Sequence, residues 1–435
     1  MLTAIFFLII TFIGFILALW KGPFWGLIIY ANMYMNNPKF NWWGEYLPEL
    51  RWSLISAGVL LASMIIHREK LSTHKLSISY CLFILYILSM LITNTIAVEP
   101  ERAKLETHAI LLYCIIIFLI VKTLAEFEQL RLFILVIIGF CAHLSLKSHF
   151  VGKYVHGRLE DIGPADAHAS NELGIFLASI LLLALPFVFK GKRYERVICL
   201  LSLPLIINTF ILTKSRGAFV ALAFSIFYAF FISANKKIKK YLLVAGICFI
   251  PVFLYLGHDE SYFDRISTIW RADRSSDQAM AELSSGRTAI WKYGFDMLQD
   301  YPLGAGPGGF KELARFYIPE ELLTIDPGEE YGSRSAHNSY LQTMVELGYL
   351  GICMYMIICF GTLYILYQCS KNIKQTGKQG TFIDLFIVAL SMSVICTLFG
   401  GLFNSRFYYE FFWWQVAFVV VINSVVKQLY VSENQ

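Results

Sequence analysis

The chain has 435 residues, of which 57% are hydrophobic and 15% charged, with a formal net charge of +5. Soluble domains carry roughly 25% charged residues, and here the apolar residues come in long runs, which excludes a soluble globular domain. The positive charge sits in short segments between those runs, where it signals topology and gives no sign of nucleic acid binding.

A helix needs about 20 residues to cross a ~30 Å hydrocarbon core. Met1–Trp20 meets that length and lacks both the basic n-region and the small-residue cleavage site of a signal peptide, so it reads as a retained span. Pro23–Met35 is too short to cross alone and reads as a half-helix or an interfacial segment. Further spans fall near 52–67, 76–94, 107–122, 130–148, 170–190, 196–213, 216–233, 240–257, 338–368, 381–403 and 409–428. The fold class expected is therefore an all-α polytopic membrane protein with about twelve transmembrane helices, if residues 1–36 cross once. Its parts are an N-terminal transmembrane bundle (1–257), a long loop domain (258–337) and C-terminal transmembrane helices (338–435).

Short basic loops lie on one side: Arg68/Lys70/Lys75, Lys190/Lys192/Arg193/Arg196, Lys236/Lys237/Lys239/Lys240 and Lys371/Lys374/Lys378. The positive-inside rule makes that side cytoplasmic and puts the C-terminus there. The opposite side receives the loops at 37–51, 95–106, 149–169 and 258–337. The last carries 14 acidic and 8 basic residues, so its arginines are not part of a general basic coat. Within it, Arg287–Asp300 reads as an amphipathic helix, with Ile290, Trp291, Phe295 and Leu298 on one face, Ser284 or Ser285 as cap and Pro302 as stop. The following Tyr301–Phe310 is glycine-rich. Its formal G-x-G-x-x-G (Gly304, Gly306, Gly309) follows a helix and contains Pro307, so a tight backbone turn over the membrane domain is expected in place of a dinucleotide site.

The nine cysteines lie in or beside apolar segments, with no C-x-x-C pair. They read as membrane thiols and give no basis for a zinc site or a disulfide scaffold.

Three basic residues stand out by position. Arg216 occupies the very short turn Lys214-Ser215-Arg216-Gly217 between two spans; charge so close to the membrane suggests function, and a helix-anchoring snorkel is the alternative. Arg287 opens the loop helix, where free N–H groups and a guanidinium can hold an anion; a surface ion pair is the alternative. His337 lies where the loop returns to the membrane; a helix N-terminus and a neighbouring Arg disfavour the imidazolium, which suits it to accept a proton. A capping or core histidine is the alternative. Glu346, nine residues on, falls on the opposite side of the helix and is not expected to orient that ring. Secondary candidates are Arg334 beside His337, the polar cluster Arg158, Asp161, Asp166, His168 and Glu172, and Arg406 in the last turn.

No Walker A, H-E-x-x-H, G-x-S-x-G or D-x-D pattern is present. ATP hydrolysis, zinc hydrolysis and transfer from a nucleotide sugar lack their usual parts, so no cofactor is called for. Arginines and one histidine fit transfer from a substrate that brings its own leaving group, such as a diphosphate.

These segments resemble the O-antigen ligase and polymerase superfamily of bacterial inner-membrane glycosyltransferases. The matching motifs are Ser215-Arg216-Gly217-Ala218-Phe219, Ser285-Gly286-Arg287 with Trp291 and Tyr301 to Gly308, and His337-Asn338-Ser339-Tyr340-Leu341-Gln342 through Glu346-Leu347-Gly348. Residues 1–38, through Asn37-Pro38, are similar to a subgroup described as O-glycosylation ligases of exosortase-type systems. The resemblance implies metal- and ATP-independent transfer of a glycan from undecaprenyl diphosphate to an acceptor hydroxyl in the periplasm. The acceptor would be a lipid A–core sugar in a ligase, a lipid-linked repeat in a polymerase, or a protein hydroxyl. Arg216 and Arg287 would bind the diphosphate, with Arg334, Arg158 and Asn338 as further substrate contacts, and His337 would act as base. Ligation to lipid A–core is the leading expectation, with polymerase, protein O-glycan ligase and lipid or solute transporter as alternatives; a transporter would show internal repeats, and none is evident.

Overall fold

The computed structural model describes residues 1–74, 78–155, 157–164, 166–232, 235–257, 287–323, 334–405 and 409–434. Among them are fifteen α-helices: α1 (Leu2–Lys21), α2 (Pro23–Met35), α3 (Trp52–Ile66), α4 (Ile78–Asn94), α5 (Pro100–Thr123), α6 (Phe127–Val151), α7 (Ser170–Lys190), α8 (Arg193–Leu212), α9 (Arg216–Ile232), α10 (Lys236–Gly257), α11 (Arg287–Asp300), α12 (Gly309–Tyr317), α13 (Ser339–Gln375), α14 (Phe382–Gly400) and α15 (Glu410–Asn434). Eight of them (α1, α5, α6, α7, α8, α13, α14 and α15) are long and apolar enough to cross a membrane, and three shorter apolar helices lie in α3, α4 and α9. The protein is an all-α polytopic membrane protein, with these eight helices among the described residues long and apolar enough to span.

Several helices outrun their apolar cores. The α5 helix begins at Pro100, not at 107, and α13 continues to Gln375, beyond 368. A charged turn can prolong a helix past the hydrocarbon, so hydropathy marks the membrane and not the helix end. The expected half-helix is α2, whose 13 residues reach about 20 Å. It is tucked into the bundle with Tyr30 and Tyr34 buried.

The interior is built on α7, α14 and α15, which are buried over most of their spans. Trp413 and Trp414 of α15 are fully buried, Trp413 against Phe83 at 4.0 Å between ring centroids. In lipid, helices associate through close packing and interhelical hydrogen bonds. Gly174 of α7 fits against Thr213, Ser215 and Ala218, and Gly400 of α14 against Ile175, where a Cβ would come within 3.0 Å of those neighbours. Ser179 and Thr397 share a hydrogen bond of 3.0 Å, and Gln415 Nε2 donates to Ser393 Oγ at 2.7 Å. The eight described cysteines form no disulfide among themselves; five are buried, Cys114 is half-buried, and Cys81 and Cys353 are exposed on the helix surface.

At the end of the bundle opposite the candidate site, Arg131 Nη2 donates to the buried Glu195 Oε2 at 2.6 Å, and its guanidinium lies 3.9 Å from the Phe382 ring centroid. Lys192 N donates to the same carboxylate oxygen at 2.6 Å. Removing one member of a buried pair strands the other charge. Arg131→Met is therefore expected to cost about 3 kcal/mol, read as a lowered unfolding midpoint in detergent; an unchanged midpoint would show that the pair contributes nothing.

Two features were not foreseen. Two short strands pair antiparallel, β1 (Lys153–Val155) with β2 (Arg158–Glu160), Val155 facing Arg158. The long helix α13 is interrupted at Gly348, which has φ 66. The glycine-rich turn fills that interruption: Ala305 N donates to Val345 O at 2.8 Å, Gly306 N to Glu346 O at 2.9 Å, and Tyr349 N to Pro302 O at 3.2 Å. Backbone groups that an unbroken helix would pair internally are satisfied by the turn. Gly304, Gly306 and Gly308 all have positive φ, and Gly306 presses on Ala97 while Val98 N donates to Ala305 O at 2.9 Å. The expected backbone turn is thus a clasp joining the loop segment, the kink of α13 and the approach to α5. Helices α11 and α12 and the first turns of α13 share a second apolar cluster built on Ile290, Met297, Phe310, Leu341 and Val345.

Candidate functional site

The starts of α5, α7 and α13 surround a cavity of about 440 Å³ lined by Arg102, Glu106, Arg158, Glu160, Asp166, Ser170, Asn171, Glu172, Gly308, Lys311, His337, Gln342, Asn404, Ser405 and Tyr409, among others. Helix N-termini carry partial positive charge and unpaired N–H groups, so their convergence favours an anionic ligand.

Arg158 is carried to this cavity by β2. Its Nε donates to Thr213 O at 3.1 Å and its Nη2 to Asn171 Oδ1 at 2.6 Å. Ser215 Oγ donates to the same Asn171 oxygen at 3.0 Å. The turn before Arg216 is therefore fixed to the cavity wall through Asn171. Arg216 is the first residue of α9, half-buried, and is not among the residues that line the cavity. Next to it, Gly217 packs on Phe403, where a Cβ would lie 2.9 Å from the Phe403 Cβ.

The 401–404 turn that receives Gly217 also holds the start of α13: Ser339 N donates to Gly401 O at 2.8 Å and Ser339 Oγ to Asn404 O at 2.9 Å. His337, half-buried, is on the cavity wall immediately before this anchor. The helix cap is Asn338, whose Oδ1 accepts from Tyr340 N at 3.0 Å and Leu341 N at 3.1 Å, so the side chain of His337 is not the cap. Arg334 is buried three residues earlier. The first turn of α11 is tied to the same strip by Trp291 Nε1, which donates to Ala336 O at 3.0 Å. Arg287 thus begins a helix anchored one residue from His337, and its side chain lies outside the described part of the structure, as do Ser284, Ser285 and Arg406.

The non-glycine residues with left-handed φ among the described residues are Asp161, Lys214 and His337. Lys214 and His337 fall in two of the three segments singled out from the sequence, those of Arg216 and His337, and Asp161 falls in the secondary cluster with Arg158. Such strain persists only where surrounding structure enforces it, and it clusters at functional sites.

The carboxylates on the wall are largely engaged in structure. Asp166 accepts from the Tyr34 hydroxyl at 2.6 Å and from Glu410 N at 2.6 Å, Glu160 from Ser170 Oγ at 3.1 Å, and Glu172 from Ala169 N at 3.2 Å. Of the secondary cluster, Asp166, Glu172 and Arg158 reach the cavity. Asp161 pairs with Lys153 at 3.2 Å, and His168 packs on Phe40 with ring centroids 4.4 Å apart. Arg102, Glu106, Lys311, Gln342 and Asn404 were missed. Arg102 and Glu106 were treated as the loop before a span, although their i, i+4 spacing already placed them on one helical face. Lys311 follows the glycine-rich turn by three residues, which could have marked it. Arg102 pairs with Glu312 at 3.1 Å, and Glu312 also pairs with Arg315.

Helix starts, cationic side chains and a histidine with left-handed backbone are thus gathered around one cavity at an end of the bundle. The family model described as O-antigen ligase matches residues 199–356, and the resemblance to the O-antigen ligase superfamily is borne out over that stretch. It contains Arg216, Arg287, Arg334, His337, Asn338 and the whole clasp. The similarity of residues 1–38 to the O-glycosylation ligases lies outside the matched stretch. The match supports a function of O-antigen ligase or polymerase type in general, with a lipid-linked glycan and an acceptor as substrates. No curated protein matches the chain.

Proposed function

We propose that the protein transfers a glycan from undecaprenyl diphosphate to an acceptor hydroxyl at the periplasmic face of a bacterial inner membrane, with lipid A–core as the acceptor. The observation that carries this reading is His337, held in a left-handed conformation on the wall of a cavity ringed by helix N-termini, Arg102, Arg158 and Lys311. The acceptor oxygen attacks the anomeric carbon of the donor sugar, and the bond from that carbon to the diphosphate oxygen breaks. The acceptor proton passes to His337, and undecaprenyl diphosphate leaves with its charge balanced by Arg287 and, from outside the cavity's lining residues, by the longer-range field of Arg216. Arg334 and Arg158 reinforce the field around it, and Asn338 sets the start of α13 that presents the histidine. Arginine can neutralise a departing diphosphate without a metal ion.

Purified protein is expected to transfer glycan to lipid A–core without nucleotide and in the presence of EDTA. Arg216→Ala and Arg287→Ala are each expected to slow transfer about a hundred- to a thousandfold. Loss of transfer in EDTA, or full activity in both variants, would refute the mechanism. One donor offered in parallel to lipid A–core, to a lipid-linked repeat and to a Ser/Thr/Tyr peptide separates ligase from polymerase and from protein glycosylation.

A further inference from the structure

The cavity wall holds three buried polar atoms that no described residue satisfies: Gln342 Oε1, Asn404 Nδ2 and Ser405 Oγ. All three residues line the cavity together with His337. Buried polar atoms in folded proteins nearly always have a partner, and an exception on a cavity wall points to a ligand. Gln342 and Asn404 are 7% and 3% exposed, so bulk solvent does not serve them.

Their orientations are set by neighbours. Gln342 Nε2 donates to the Glu346 carboxylate at 2.9 Å. A carboxylate accepts and does not donate, so the amide nitrogen faces Glu346 and Oε1 is left for the cavity. Asn404 Oδ1 accepts from Ser405 N at 2.9 Å, which leaves Nδ2 as the free group. The wall therefore offers an acceptor, a donor and a hydroxyl that can do either, all uncharged. A phosphate or carboxylate would be repelled by Gln342 Oε1, and an ammonium would find nothing in Asn404 Nδ2. Neutral hydroxyls, each able to donate and accept, match the whole set.

We infer that Gln342, Asn404 and Ser405 form a carbohydrate subsite that holds hydroxyls of the acceptor sugar beside the one that gives its proton to His337. The inference rests on the transferase reading above and deepens it, because it makes the acceptor a sugar and not a protein side chain. Gln342 is four residues beyond the cap Asn338, on the same helix face, and the 401–405 turn that bears Asn404 and Ser405 anchors Ser339. The subsite thus stands on the two segments that fix His337. Glu346 acts as a positioning residue, locking the amide of Gln342 one turn away.

The test uses the full-length protein in nanodiscs with delipidated lipid A–core oligosaccharide as probe and two readouts, binding by saturation-transfer NMR and transfer from undecaprenyl-diphosphate-linked glycan. Gln342→Met and Asn404→Leu are expected to weaken binding and raise acceptor KM about five- to tenfold each, the loss of one neutral hydrogen bond, with donor KM and kcat unchanged. If a variant fails to fold, Ser405→Ala carries the same comparison. The inference is overturned if the oligosaccharide does not bind the wild-type protein, if the variants bind it as tightly as the wild type does, or if donor KM rises in step with acceptor KM. Subsite-dependent binding without any transfer would sink the transferase reading and leave the sugar site standing.

Discussion

Replacing His337 by Asn is expected to slow glycan transfer about a hundred- to ten-thousandfold, the usual contribution of a general base, while leaving the fold intact. The choice of Asn follows from the backbone. His337 has φ 47, and Asn is the side chain that visits the left-handed region with least strain after Gly, whereas Ala there would add roughly 1–2 kcal/mol. A loss of activity in His337→Ala could therefore reflect a displaced helix start, and in His337→Asn it could not. The start of α13 is independently secured by the Asn338 cap and the two bonds from Ser339 to the 401–404 turn. Single-turnover transfer with donor in excess reads the chemical step, and an unchanged unfolding midpoint certifies the fold. Retention of full single-turnover rate by His337→Asn would remove His337 from the chemistry.

The parts legible in the sequence were those written in long-range composition. Spans announce themselves because lipid rewards apolar residues on every outward face, and the break between them shows as charge. His337 stood out as an imidazole against a membrane boundary, where chance residues are rare, and it lies on the cavity wall; Arg216, singled out on the same ground, lies outside the lining residues. The pairing of β1 with β2 was not legible, since three-residue strands are too short to display an alternating pattern. Gln342 stood in a matching motif but was given no role, being one polar residue within an apolar span. Glu346 was judged by its angle to His337, which is unfavourable, and its bond to Gln342 became visible only with coordinates. The glycine-rich turn was recognised as a turn, yet its partner could not be named: Gly348 lies more than forty residues away, and nothing local in either segment signals the other.

That pairing carries the largest stability effect expected in the molecule. A Cβ at Gly348 would lie 2.5 Å from Pro302 O and 2.8 Å from Gly304 N, and a Cβ at Gly304 would lie 2.6 Å from Glu346 O and 2.8 Å from Gly348 N. These neighbours are backbone atoms held by hydrogen bonds, so they cannot swing aside as a side chain could. Both positions also have left-handed φ, at 66 and 101, which strains any L-residue with a Cβ. Backbone strain of about 1–3 kcal/mol adds to a steric cost of similar size, so Gly348→Ala and Gly304→Ala are each expected to destabilise by about 4 kcal/mol. Each also opens the clasp that sets α11 and α12 over the first turns of α13, so transfer should fall with stability. The two substitutions break one joint, and the second should therefore cost little once the first is made. Unfolding midpoints of the two single variants and the double variant in detergent measure this. Additive losses would mean that the two glycines act separately, and the clasp would then not be the link between the loop helices and the membrane bundle.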